Sequence, residues 1–288
     1  MPDSFKNILI PVDLSVHTET AVRKGLELAD QGTNICLLHV FRLGVFAGLM
    51  PSAEDEDSVR LHLIEEQLEF WKDKIISAAD HVKVTTAVIT AGSVQNAIIH
   101  KAGEIRSDLI IIVKPSRHAW FPFLNRVSCG RIVLKTGITV LTVRPCAYQN
   151  MIKTVVVPIA DEAVKNKMDI VSTICRKFKV KIHLVTFTDE SKQTSDNHTS
   201  SLLQVYQWVK SSIHCPVDYA VLNGANKARA IMDYAEGANA DFLLLYPESE
   251  TRTGWLNGQI YDMLPAASRV QVLTIRPAFS NIETQISI

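Results

Sequence analysis

Asp13 stands at the carboxyl end of a short apolar run, Lys6–Val12 (KNILIPV). Far along the chain, from Leu109 through Ala160, there is no acidic residue, while Lys114, Arg117, Arg126, Arg131, Lys135, Arg144 and Lys153 all fall in that span. A carboxylate at a strand end and a set of cations without local counter-charge suit one task, the holding of a small anionic ligand. Guanidinium groups such as Arg117 and Arg126 grip phosphate or carboxylate oxygens through charge-assisted hydrogen bonds. Both features have plainer readings. A strand-end carboxylate caps the turn that follows it, and cations of one segment pair with acids of another, here Glu54-Asp55-Glu56-Asp57. Catalysis has thinner material. Ser128 and Cys129 have no identifiable activating base in the sequence, and no paired carboxylates, metal-ligand spacing or intact glycine-rich fingerprint stands out. The expectation is no enzyme, no catalytic residue and no metal site.

Other reactive or aromatic side chains carry weaker signals. Cys36, Cys129, Cys146, Cys175 and Cys215 are odd in number and include no Cys-x-x-Cys pair, which argues for small buried hydrophobes in a reducing compartment. His39 lies inside an apolar strand and reads as a hydrogen-bonded core residue. Trp120, Phe121, Pro122 and Phe123 form an apolar loop that would either anchor a partner or fold over a cleft, and Leu43–Met50 would cover that cleft from the other side.

The elements that must position these residues follow from apolar patterning. Lys6–Val12 reads as a strand buried on both faces, as parallel sheets require. Ser15 is the expected N-cap of a helix reaching about Asp30, with Ala21, Val22, Gly25, Leu28 and Ala29 inward and Gly32 as its stop. Strand two is Ile35–Phe41. The acidic run Glu54–Asp57 suits a helix N-terminus, and Leu61, Ile64, Leu68, Trp71 and Ile75 continue that helix at three- and four-residue spacing. Val82–Thr90 is strand three, and Gly92 opens a helix through Ile98, Ile99 and Ala102. The stretch Asp108–Pro145 then supplies a strand, a loop, a short helix and a last strand.

At Lys153 the order restarts. Lys153–Ile159 (KTVVVPI) matches Lys6–Val12 with Pro158 on Pro11, an offset of 158 − 11 = 147 residues that also superposes Ile182 on Ile35. Val180–Phe187, a helix near Ser200–Ile213, Val217–Leu222 and a helix through Ile231 and Ala235 follow. The closing stretch Asp241–Pro277 repeats Asp108–Pro145, down to Val272-Leu273-Thr274-Ile275-Arg276-Pro277 against Val140-Leu141-Thr142-Val143-Arg144-Pro145. A period of one whole domain is a duplication. The expected domains are residues 1–147 and 151–279, with a tail at 280–288. Each is an α/β doubly wound open sheet with strand order 3-2-1-4-5, so any cleft lies at the carboxyl ends of strands one and four.

These residues resemble a universal stress protein (UspA) domain in each half. The carriers are ILIPVDLS with Thr18 and Ala21 beyond it, LLHV, Gly92 and DLIIIV…VLTVR in the first half. In the second they are VVVPIAD, HLVTF, Gly224 and DFLLLY…VLTIR. The resemblance implies a tandem, Rossmann-like universal stress protein whose fifth strands pair, Val140–Val143 beside Val272–Ile275. It also implies a nucleotide cleft in the first half formed by Pro11, Val12, Asp13, Val40, Val113, Ser116, Arg117, Arg126, Val127 and Ser128. Nucleotide-binding members carry Gly-x2-Gly-x9-Gly-Ser/Thr after strand four. The corresponding residues here are Val113, Ser116, Arg126 and Val127, and in the second half Leu245, Glu248, Gly258 and Gln259, so only Gly258 survives. A phosphate nest needs residues that accept positive φ and free backbone N–H groups. Val113 opposes the first, and Pro115 and Pro247 each delete an amide. Ala160 replaces the strand-one aspartate in the second half.

The expectation is therefore a non-catalytic stress-response protein, an internal pseudo-dimer acting through a protein partner or a homodimer, its nucleotide loops degenerate. The alternative is a module binding ATP, AMP or another small anion in the first half only. Composition is that of an ordinary globular chain: 47% hydrophobic, 21% charged and a formal net charge of +0 offer no field for nucleic acid or an anionic membrane. No apolar run reaches the roughly 18 residues a membrane span needs, and the chain enters its first strand almost at once, with no room for a signal peptide. The expected location is the cytoplasm.

Overall fold

The structure is a computed structural model that describes residues 4–42, 51–114, 124, 127–145, 151–159, 164–187, 195–213, 215–224, 226–247, 252–253, 258–260, 264 and 267–276. The chain divides into two compact units, Pro2–Tyr148 and Gln149–Ile288.

The first unit runs β1 (Phe5–Pro11), α1 (Thr18–Leu28), β2 (Ala29–Phe41), α2 (Pro51–Ala78), β3 (Lys83–Thr90), α3 (Val94–Glu104), β4 (Leu109–Val113), α4 (Cys129–Thr136) and β5 (Thr139–Val143). Its strands lie in the order β3-β2-β1-β4-β5, the expected 3-2-1-4-5, and all pairings within it are parallel. β4 (LIIIV) and β5 (TVLTV) are buried at every residue, because helices cover both faces of a parallel sheet. The inward face of α1 is the expected one, with Ala21, Val22, Gly25 and Leu28 all buried; Ala29 is buried too, but as the first residue of β2. Gly25 sits at a close approach: a Cβ there would stand 2.7 Å from Cδ1 of Ile10, so that side chain would have to shift.

Two local expectations are corrected. Ser15 does not cap α1, which starts at Thr18. Leu14 takes a left-handed φ of 57°, and the Asp13 carboxylate accepts the Ser15 amide at 3.0 Å, so a tight turn stands where the helix was expected to begin. The Ser15 hydroxyl accepts the His17 amide inside that turn. Nor does Gly32 stop the helix. Ala29 is already extended, and Gly32 (φ 81°) sits within β2, donating to the His81 carbonyl at 2.7 Å. The pairing shifts there, from Phe5 opposite Ala29 to Asn7 opposite Asn34. The Thr33 hydroxyl bridges that bulge by donating to Phe5 O at 2.8 Å.

The second unit runs β6 (Thr154–Pro158), α5 (Lys165–Lys177), β7 (Lys181–Phe187), α6 (Ser195–Ser212), β8 (Val217–Leu222), α7 (Lys227–Gly237) and β9 (Phe242–Leu245). An antiparallel pair of two-residue strands follows, β10 (Arg252–Thr253) with β11 (Gly258–Gln259), and then β12 (Gln271–Thr274). Its order β12-β9-β6-β7-β8 is again 3-2-1-4-5 when counted from β8. The offset of 147 holds at three separate points: Pro158 against Pro11 closing the first strands, Lys165 against Thr18 opening the first helices, and Val185 against Leu38 as strand partners. The fourth helix expected in this unit falls largely on residues outside those described.

Both units tie strands one and four together at their amino ends in the same way. Asp108 accepts the amides of Lys6 (2.8 Å) and Asn7 (3.2 Å), and Asp241 accepts those of Lys153 (2.7 Å) and Thr154 (3.0 Å). The aspartate amides return the bond to the Asn7 and Thr154 carbonyls. The carboxyl ends of the same strands, where a ligand would sit, are thereby held in register.

Candidate functional site

The residues expected to form the first-unit cleft lie at the ends of β1, β2 and β4 and at the start of α4. Pro11, Val12, Val40, Val113 and Val127 are all buried, while Asp13 and Ser128 are half-buried. Ser116, Arg117 and Arg126 lie outside the described residues, so the cleft is described by seven of its ten expected members.

Several of the described polar groups among them are engaged by the protein. Asp13 closes the turn after β1 through the Ser15 amide, the capping role that a strand-end carboxylate takes without a ligand. The Val12 amide donates to Leu38 O at 2.8 Å, and the Val12 carbonyl accepts Nδ1 of His39 at 2.9 Å. His39 is hydrogen-bonded as expected, though half-buried and not in the core; since its partner is a carbonyl, Nδ1 carries the proton. Burial holds its pKa below the ordinary histidine value, because desolvation disfavours the imidazolium.

The start of α4 decides what this cleft can offer a phosphate. Four amides there already have protein acceptors. Val127 N–H donates to Leu124 O (3.1 Å), Ser128 N–H to the side-chain Oε1 of Gln95 (3.0 Å), Arg131 N–H to the Ser128 hydroxyl (3.4 Å), and Ile132 N–H to Ser128 O (3.1 Å). Helix N-termini bind anions through just such amides when they are open. Gln95, on α3, takes one from the side, a contact sequence reasoning missed; its only sequence signal is an amide side chain in the first turn of α3.

Ser128 and Cys129, the nucleophile candidates, have structural roles. Ser128 is the N-cap of α4. Cys129 is fully buried and accepts the Thr142 hydroxyl at 3.3 Å. The described first-unit cations of the acid-free span do not converge. Lys114 and Arg144 are buried, and the Arg144 guanidinium donates to Lys114 O at 3.0 Å, whereas Arg131 and Lys135 are exposed on α4 and Lys153 opens the second unit. Of the proposed acidic partners, Asp57 pairs with Arg60 on its own helix at 3.2 Å. Trp120–Phe123 and Leu43–Met50 lie outside the described residues.

In the second unit the equivalent position is filled from within. Lys167, 1% exposed, donates its ammonium to Pro158 O at 2.7 Å and lies 4.1 Å from the centroid of the Tyr246 ring. Pro158 ends β6 and Tyr246 follows β9, so a protein cation stands between the carboxyl ends of the first and fourth strands. Gly258, the surviving glycine, is paired with Thr253 in the β10–β11 pair.

Among the described residues no group of three or more His, Cys, Asp or Glu is placed to hold a metal ion, and no helix is long and apolar enough to cross a membrane. Burial pushes the Cys36 thiol up, away from the thiolate form a nucleophile needs.

Comparison with known proteins bears on both units. The model of the universal stress protein family matches residues 4–144. A universal stress protein from Archaeoglobus fulgidus DSM 4304 is 19% identical with a TM-score of 0.66, the match covering 96% of this chain and 99% of that one. A functionally unknown protein from Pseudomonas aeruginosa PAO1 is 14% identical with a TM-score of 0.58, covering 96% and 94%. The cytoplasmic domain of a prokaryotic cation chloride cotransporter is 11% identical with a TM-score of 0.52, covering 94% and 96%. At these identities the likeness is one of fold. No curated protein matches the chain. Through the family match over residues 4–144, on an α/β open-sheet fold shared along nearly the whole chain with solved structures, the first unit belongs to the universal stress protein family.

Proposed function

We propose that this is a non-catalytic universal stress protein that acts in the stress response through protein contacts, with nucleotide-binding loops that have degenerated in both halves. The observation that carries the reading is the Gln95 side chain on the Ser128 amide, which takes a donor that a phosphate would use. The loss of glycine at Val113, Ser116 and Arg126 and the prolines Pro115 and Pro247 support it from the sequence. Lys167 seated against Pro158 and Tyr246 supports it for the second half. The domains are read as residues 1–147 and 151–279 with a tail at 280–288, an internal pseudo-dimer by duplication, located in the cytoplasm and pairing with a protein partner or a second copy.

A second reading keeps a ligand in the first half: an adenine nucleotide or another small anion held by Asp13, Arg117 and Arg126. Thr18 favours it, since its hydroxyl is buried at the start of α1 and has no hydrogen-bond partner among the described residues. Calorimetric titration of the full chain with ATP and AMP separates the two. No heat up to millimolar nucleotide is the expected result. Micromolar affinity that disappears in Asp13→Ala would replace the first reading with the second, and nucleotide turnover by the same sample would overturn both.

A further inference from the structure

The second unit carries a pocket that the switch-point cleft does not include. It lies between the start of α5 and the middle of α6, has a volume of about 440 Å³, and is lined by Val164, Lys165, Met168 and Asp169 on one side and Gln204, Val205 and Trp208 on the other. That volume is in the range of small-molecule sites, roughly 300–1,000 Å³. Its walls are mostly apolar, and Trp208, 45% exposed, presents a large aromatic surface to it. Two charged groups interrupt them, Lys165 and Asp169. Oδ2 of Asp169 is buried and has no hydrogen-bond partner among the described residues.

A carboxylate oxygen withdrawn from water and left without a donor is costly, so one on the wall of a pocket calls for an explanation. The fold itself does not demand an acid here. By the offset of 147, Asp169 corresponds to 169 − 147 = 22, and Val22 is a buried core residue of α1. Met168 corresponds in the same way to Ala21, a smaller side chain.

We propose that this pocket binds a small organic cation, an amine with an apolar or aromatic body, whose ammonium donates to Asp169 while the body lies against Met168, Val205 and Trp208. The chemistry selects that class. The acceptor calls for an N–H donor with positive charge, and an indole face attracts a cation or stacks on a ring. An anionic ligand would meet the Asp169 carboxylate and be repelled. Lys165 also lines the pocket, one helical turn before Asp169, and is exposed at its rim. It is the internal competitor for the same oxygen.

The test uses the full chain and phenethylamine as probe, followed by the indole N–H resonance of Trp208, assigned as the one missing in Trp208→Phe. A saturable shift at millimolar concentration or below is expected. 3-Phenylpropionate, with the same ring and a negative charge, should give none. Asp169→Asn should weaken the amine at least about tenfold, and Gln204→Glu, which adds an acid at an exposed wall position, should tighten it. Equal binding of amine and carboxylate, no effect of Asp169→Asn in a protein whose amide spectrum is otherwise unchanged, or no saturable shift in the wild type would each overturn the proposal. So would binding that appears only in Lys165→Ala, since Lys165 would then be the resident cation. The outcome is independent of nucleotide binding in the first unit.

Discussion

The Lys167 ammonium lies 4.1 Å from the Tyr246 ring centroid and donates to the Pro158 carbonyl at 2.7 Å, at the carboxyl ends of β6 and β9. In an open α/β sheet this crevice is where a ligand is expected. A charge-assisted hydrogen bond and a desolvated cation–π contact together outweigh the ordinary contribution of a surface lysine. Lys167→Met should therefore destabilise the second unit by about 2 kcal/mol, read as a lower urea midpoint. It should not create nucleotide affinity, because Pro247 and Glu248 remain.

The paired clamps Asp108 and Asp241 give a prediction with an internal control. Each carboxylate takes two strand-one amides, but Asp241 is 1% exposed and Asp108 is half-buried. Asp241→Ala leaves its donors in the drier site and should cost about 2–3 kcal/mol, while Asp108→Ala should cost about 1–2 kcal/mol. Denaturant unfolding of the two variants checks the order. Equal losses would mean that burial does not set the difference.

The switch-point histidine predicts a pH dependence whose sign can be worked out. His39 donates to Val12 O, and in the second unit Thr186 donates to Ile159 O at 2.9 Å, the same bond 147 residues on (39 + 147 = 186, 12 + 147 = 159). Burial depresses the His39 pKa, so below about pH 6.5 the unfolded chain takes up a proton that the folded chain resists. Its contribution is intact above that value and is lost as pH falls through the folded pKa, at a slope of up to about 1.4 kcal/mol per pH unit. His39→Thr keeps a donor to the carbonyl and removes the titration. The variant should match the wild type near pH 8 and exceed it in stability near pH 5, measured by urea unfolding at each pH.

Cys175, on α5, is held in the thiol form by burial and by the neighbouring Cys215 thiol, which push its pKa well above the ordinary range. Alkylation by iodoacetamide at pH 8 should be slow at Cys175, at least about tenfold slower than at a free thiol. It should quicken in Cys215→Ala, where one of the causes is removed while burial stays. Mass mapping of labelled peptides over time reads both rates.

Much of the fold was legible because periodicity and duplication fix it. KNILIPV and KTVVVPI are apolar without alternation, which marks strands of a parallel sheet, and the repeated order carried the 3-2-1-4-5 sheet into both halves. Boundaries were less legible where backbone conformation overrides composition. Ser15 had the composition of a cap, but Leu14 in the left-handed region moved the helix start to Thr18. Gly32 had the composition of a helix stop, yet its positive φ serves a bulge inside β2. At the candidate site, the missing glycines could be counted along the chain. The acceptor that occupies the Ser128 amide could not, because Gln95 comes from another helix 33 residues earlier. Nor could Lys167, whose burial against Tyr246 depends on two segments that meet only when the sheet forms.

The Ser128 amide is the direct probe of whether the first-unit cleft can still hold a phosphate. Its proton resonance in the full chain, followed through a titration with ATP, should show no saturable shift up to millimolar concentration, because Gln95 already occupies it. A saturable shift at micromolar ATP that vanishes in Asp13→Ala would contradict the account.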